Sequence, residues 1–183
     1  MVLDKTQSDQ ALAASAAAGD RAAFSLLVER HYDFIFRVAW RLTGNRAEAE
    51  DLAQDVCVRV ARAIGSFRGQ GAITTWLYAM TLNAVRDLAR KHARDRAKAA
   101  AFGVNALIEG EAAEERDDPA EALWEAVRRL PDKQRDAVTL VYGEGLSHHE
   151  AAKAMNCAEN TVSWHVHEAK KRLKAMLSAG DEP

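Results

Sequence analysis

Residues 147–177, SHHEAAKAMNCAENTVSWHVHEAKKRLKAML, constrain the chain more than any other stretch. Ser147 followed three residues later by Glu150 is a capping box, in which hydroxyl and carboxylate satisfy reciprocal backbone N–H groups, so a helix starts here. Ala151, Ala152 and Met155 give that helix a short apolar face, and Asn156 tolerates the left-handed conformation that ends it. A second helix must then begin near Glu159. Along it Val162, Val166, Ala169, Leu173 and Leu177 recur at steps of four, three, four and four. That spacing predicts one buried stripe.

The opposite face of this second helix collects Asn160, Ser163, Trp164, His167, Glu168 and Lys171, with Lys170 and Lys174 at its edge. Two helices joined by a three-residue turn, the second polar and partly basic outside, form a helix-turn-helix of the kind a major groove admits. Trp164 sharpens that reading. A large exposed aromatic suits a contact surface better than a merely solvated helix.

A formal net charge of −2 does not suggest a partner of nucleic acid until the charge is located. Residues 21–96 hold 13 basic and 8 acidic side chains, 97–127 hold 2 and 8, and 128–178 hold 9 and 6. Two basic bodies therefore flank an acidic connector, and local charge governs attraction to a polyanion. The two cysteines, Cys57 and Cys157, imply no disulfide framework. The N-terminal residues lack both the basic start and the apolar run of a secretory signal, and no stretch of 18 apolar residues spans a membrane. A cytoplasmic protein without membrane insertion is expected.

Taken in order, residues 1–19 are an Ala-rich lead-in, frayed or weakly helical. Asp20 caps a helix with an inner stripe of Phe24, Leu27, His31, Ile35, Val38 and Leu42, in which His31 is a packed histidine rather than a ligand; Gly44 ends it. A helix from about Ala47 to Ile64 buries Leu52, Ala53, Val56, Val60 and Ile64 and turns Asp51, Gln54, Asp55, Val58 and Arg62 outward. Carboxylates favour a helix N-terminus. Val58 among them is what a protein partner would explain.

The segment GSFRGQGA, 65–72, reads as a glycine loop, after which Thr74 or Thr75 caps a helix from Trp76 to about Arg96 with Leu77, Met80, Ala84 and Leu88 inside. Aromatics beside a glycine loop and a basic helix suit unpaired bases. Acid then dominates through 118, a linker helical only in patches. Pro119 starts a helix that turns Leu123, Val127 and Leu130 inward, Pro131 breaks it, and Asp132 caps the next.

Together these segments resemble the extracytoplasmic-function (group IV) sigma factors of bacterial RNA polymerase. The resemblance rests on HYDFIFRVAWRLTGNRAEAEDLAQDVCVRV, FRGQGAITTWLYAMTLNAVRDLAR and LWEAVRRLPDKQRDAVTLVYGEGLSHHEAAKAMNCAENTVSWHVHEAKKRL, in that order. It implies an all-α fold of two small domains: sigma domain 2 over 20–96 and sigma domain 4 over 119–178, joined by the linker 97–118 and followed by a tail, 179–183. Asp51, Gln54, Asp55, Val58 and Arg62 would dock on the clamp helices of the polymerase β′ subunit. Arg68, Gly69, Gln70, Thr74, Thr75, Trp76, Asn83, Arg86 and Arg90 would read the minus-ten element as a single strand. Asn160, Thr161, Ser163, Trp164, His167, Glu168, Lys170 and Lys171 would meet the minus-thirty-five element, while the first helices of domain 4 grip the β flap. An anti-sigma factor is the implied regulator, and the linker would thread the polymerase cleft.

The chain departs from the family's usual pattern at Cys57, where phenylalanine is common, at Leu82, often arginine, and at Ser163 and Glu168, usually basic. A carboxylate accepts from cytosine N4 but repels phosphate, so an altered minus-thirty-five preference is expected, which Glu168→Arg should shift in promoter selection. The alternative is a stand-alone helix-turn-helix regulator responsive to metal or redox state, prompted by His148, His149, Cys157, His165 and His167. Two helical residues two apart diverge by about 200°, so His165 and His167 do not converge on one ion, and neither metal nor cofactor is expected. No nucleophile-base pair or phosphate loop suggests an enzyme.

Overall fold

The computed structural model describes residues 7–69, 71–101 and 119–178, and every regular element among them is helical. The all-α expectation holds. Helix α1 spans Asp9–Ala17, α2 Arg21–Thr43, α3 Arg46–Ala63, α4 Ile73–Ala101, α5 Pro119–Arg128, α6 Asp132–Val138, α7 His148–Met155 and α8 Glu159–Ser178. A 3₁₀ turn, Ile64–Ser66, follows α3, and a π turn, Thr139–Gly143, follows α6.

Local chemistry sets these boundaries. Asp20 accepts from the N–H groups of Ala22 and Ala23 at 2.9 and 3.1 Å to open α2. Gly44, at φ +71°, closes it by donating to the Trp40 carbonyl at 2.7 Å. Asn45 then caps α3 through the Glu48 N–H, 3.0 Å away. The expected capping box is formed: Ser147 Oγ accepts from the Glu150 N–H at 3.2 Å, and the Glu150 carboxylate accepts from the Ser147 N–H at 2.9 Å. Asn156, at φ +50°, ends α7.

The lead-in is more ordered than its composition suggests. Ser8 caps α1, Leu12, Ala13 and Ala16 are buried, and Asp9 lies 2.6 Å from Arg30 and 3.0 Å from His31 Nε2. His31 is thus a buried core histidine beside the Asp9 carboxylate. Other expectations need correction. Helix α4 starts at Ile73 and runs on through Ala101, so 97–101 are helical and the connector's remaining residues, 102–118, lie outside the described residues, as do Gln70 and the tail. Asp132 is the first residue of α6, whose cap position is Pro131 and carries no side-chain hydrogen bond. Leu123 and Leu177 are 42% and 45% exposed, so neither joins the core.

Helices α1 to α4 pack round Leu27, Ile35, Val38, Leu52, Val56, Val60, Leu77 and Leu82. The same apolar core continues into the second domain through Ala151, Met155, Val162 and Val166, with α4 against α7 and α2 against α5 and the π turn. Val127, Leu130, Val138 and Ala169 form a smaller cluster under Trp124 and Leu173. The two domains are therefore packed on one another.

Candidate nucleic-acid and polymerase interface

The α3 face projects away from the core. Asp51, Gln54, Asp55 and Arg62 are exposed and Val58 is 49% exposed, while Leu52, Ala53, Val56 and Val60 on the other side are buried. Asp55 accepts from Arg59 Nε at 2.7 Å, and Arg59 reaches across to Asp87 of α4 at 3.0 Å. Hydrogen bonds from Arg59 and Arg90 hold the Asp87 carboxyl below its usual range. Sequence periodicity missed this Arg59 bridge, because its two acids lie on different helices.

The glycine segment folds over the start of α4. Phe67 and Trp76 rings meet at 5.4 Å with a 46° tilt, and Arg68 is exposed beside them. Gly69 and Gly71 take φ +67° and +131°, a backbone route that side-chain-bearing residues rarely follow. Thr74, Thr75 and Trp76 are half-buried, and Asn83 and Arg90 are exposed. Thr74, Thr75, Trp76 and Arg68 gather at one end of α4, while Asn83, Arg86 and Arg90 lie further along it. Leu82 is only 1% exposed, so it serves the core. A crevice of about 690 Å³ opens between Phe67, Arg68, Thr75 and Trp76 on one wall and Ser147, His149, Glu150 and Lys153 on the other. Arg86 points elsewhere, donating to the Asp136 carboxylate of α6.

On α8, Asn160, His167, Lys170 and Lys171 are exposed and Trp164 is 57% exposed, one face of two turns and more. Thr161, Ser163 and Glu168 are half-buried at its flanks. Ser163 is already engaged: its hydroxyl lies 2.8 Å from His148 Nδ1 and donates to the Glu159 carbonyl at 3.2 Å, tying α7 to α8. Lys170 Nζ stacks 4.8 Å from the Tyr142 ring, which is 54% exposed. Tyr142 belongs to this surface, and the π turn that aims it leaves no periodic signal. Burial pushes the His165 ring below its ordinary value, and no group of three or more metal-ligating side chains converges among the described residues. Both cysteines are free thiols, and burial raises that of Cys57.

Sigma-70 region 2 matches residues 27–95 and Sigma-70 region 4 matches residues 120–173. The chain is 33% identical to the RNA polymerase sigma-H factor of Pseudomonas aeruginosa, over 93% of this chain and 94% of that one. It is 36% identical to the ECF RNA polymerase sigma factor SigM of Mycobacterium tuberculosis, over 93% of this chain and 85% of SigM. The chain belongs to the extracytoplasmic-function sigma factors. Among solved structures it resembles CnrH in complex with the cytosolic domain of CnrY, with a TM-score of 0.71, 26% identity, and coverage of 98% of this chain and all of that one. It also resembles the sigma factor RpoE of Bartonella quintana bound to the anti-sigma factor NepR, with a TM-score of 0.68, 26% identity, and coverage of 86% and 95%. As a sigma factor, the chain directs transcription initiation by RNA polymerase at promoters. No described helix is long and apolar enough to cross a membrane.

Proposed function

We propose that residues 20–96 grip core polymerase and read the minus-ten element, and that residues 119–178 read the minus-thirty-five element. In this reading Asp51, Gln54, Asp55, Val58 and Arg62 meet the β′ clamp helices. The observation that carries it is Val58, half exposed in a ring of polar and acidic side chains on a helix whose other face is fully committed to the core. An apolar centre with a charged rim fits a protein partner and has no use in the isolated fold.

Arg68, Gly69, Thr74, Thr75, Trp76, Asn83, Arg86 and Arg90, with Gln70 between them in the sequence, take the minus-ten strand. Extruding a base costs a few kcal/mol, which stacking and polar contacts to the extruded base offset. Trp164 and its neighbours on α8 take the major groove of the minus-thirty-five element, with Lys170 and Lys171 toward phosphate. A protein regulator of the kind bound to the Bartonella relative is proposed for this chain too. The protein works in the cytoplasm, beside the polymerase, and has no catalytic step of its own.

Runoff transcription with bacterial core polymerase, with and without the chain, tests this, alongside a footprint of the chain alone. Transcripts are expected only when both components are present, and Asp55→Arg should remove them. A footprint without core, and no transcript with it, would point instead to a stand-alone regulator.

A further inference from the structure

We infer that the second domain carries an acidic stand-in for promoter DNA, so that in the closed chain Asp136 occupies Arg86 and competes with single-stranded promoter DNA for the first domain. This rests on the minus-ten role proposed for Arg86. Arg86 Nη2 donates to Asp136 Oδ2, and Asp136 is wholly buried in the contact. The Tyr78 hydroxyl, itself buried on α4, donates to the Asp136 backbone carbonyl at 3.3 Å. A cation proposed for nucleic acid is thus held by a carboxylate from another domain.

A second ion pair closes the same interface at a distance from the reading face. Arg41 of α2 donates to the Gly143 carbonyl at 2.6 Å and to the Glu144 carboxylate, whose side chain is only 4% exposed. The approach is close: a Cβ at Gly143 would stand 2.9 Å from the Trp124 ring and 3.1 Å from Arg41 Nη1, so one of these side chains would have to shift. Meanwhile the crevice between the glycine loop and α7 sets Arg68 and Trp76 opposite Glu150. On that wall Glu150 is held by Ser147 and stands beside Lys153, so Asp136 is the second-domain acid that engages a first-domain group proposed for DNA.

The contact is also built to come apart. Burial pushes the Asp136 and Glu144 carboxyls above their ordinary values, more than Arg86 and Arg41 pull them down, so closing costs these charges solvation. Asp136 Oδ1, beside the Arg86 contact, is buried without a hydrogen-bond partner among the described residues. Polar groups left unmatched on closing regain water on opening.

The test uses the full chain with Cys57→Ser and Cys157→Ser, donor and acceptor dyes on Ala14→Cys and Ala175→Cys, and a fluorescent single-stranded minus-ten oligonucleotide. Arg41→Glu and Glu144→Arg each set like charges together outside the reading face, and should lower energy transfer and tighten oligonucleotide binding at least fivefold. The combined swap restores the pair and should restore both values, which controls for misfolding. Without any charge variant, saturating oligonucleotide should itself lower transfer. Unchanged transfer in both single variants, with oligonucleotide still bound, would overturn the latch alone. Opening with no oligonucleotide bound in any variant would overturn the minus-ten role and the competition with it.

Discussion

Helices α3 and α8 solve the same local problem and present opposite chemistry. Each buries a stripe of valines, leucines and alanines at helical spacing, Leu52, Val56 and Val60 in one and Val162, Val166 and Ala169 in the other. Outside, α3 shows Asp51 and Asp55 on the face of Val58, whereas α8 shows Trp164 between Asn160 and His167, with Lys170 and Lys171 further along the helix. The inner stripes suffice for the fold. On the proposed reading the partner sets this difference: an acidic face with an apolar centre for a protein surface, an aromatic face with lysines beyond it for a polyanion.

The sharpest way to break this division is charge reversal on α3. Asp55→Arg should weaken core-polymerase binding at least a hundredfold, about 3 kcal/mol, on the scale of a charge pair truncated at an interface. It should also move thermal stability little, since the exposed Asp55–Arg59 pair is worth only about 0.3–0.5 kcal/mol. Next, Trp164→Ala should cost about tenfold, some 1.4 kcal/mol, at promoters with a minus-thirty-five element, with core affinity unchanged in the same titration. Lys171→Ala should weaken promoter binding of the holoenzyme several-fold and evenly across sequences, lowering the salt slope by about 1. Glu168→Arg separates sequence reading from phosphate contact, because it should move the selected motif.

Smaller effects sharpen how each helix is aimed. Ser147→Ala removes the box that starts α7 and should cost about 1 kcal/mol, a fall in Tm of about 2–4 °C for a chain of this size. Its pH signature is diagnostic. Hydrogen bonds from Ser147 hold the Glu150 carboxyl below its ordinary value of 4.5, so their contribution is present above that value and lost as pH falls through the depressed native one. Ser147→Ala should therefore flatten the acid limb of a Tm-against-pH curve. Asp136 has the opposite sign: burial raises it above 3.8, so its contribution is complete below that pH and is lost as pH rises through the native value. Asp136→Asn should remove that decline.

The local part of this structure was legible in the sequence. Capping boxes, glycine and asparagine ends and helical stripes act within a few residues, so Ser147, Gly44 and Asn156 marked their boundaries correctly, and the outer faces of α3 and α8 followed from spacing alone. What spacing cannot carry is contact between distant residues. Arg86 and Asp136 are 50 positions apart, and Arg41 and Glu144 are 103 apart, so nothing local announces either pair. The contact of Asp9 with Arg30 likewise joins residues 21 apart, and the π turn that exposes Tyr142 breaks the helical period that periodicity relies on. Leu123 and Leu177 are exposed although they continue apolar stripes, because spacing along one helix does not say where its neighbours lie.

The most direct test of the division between the two helices is a crossed measurement. Core affinity and crosslinking at the minus-thirty-five element are read in parallel for Asp55→Arg and Trp164→Ala, both in the full chain. The account predicts that Asp55→Arg loses core affinity while Trp164→Ala keeps it and loses only the minus-thirty-five crosslink within assembled holoenzyme. Equal losses of both readouts in both variants would contradict it.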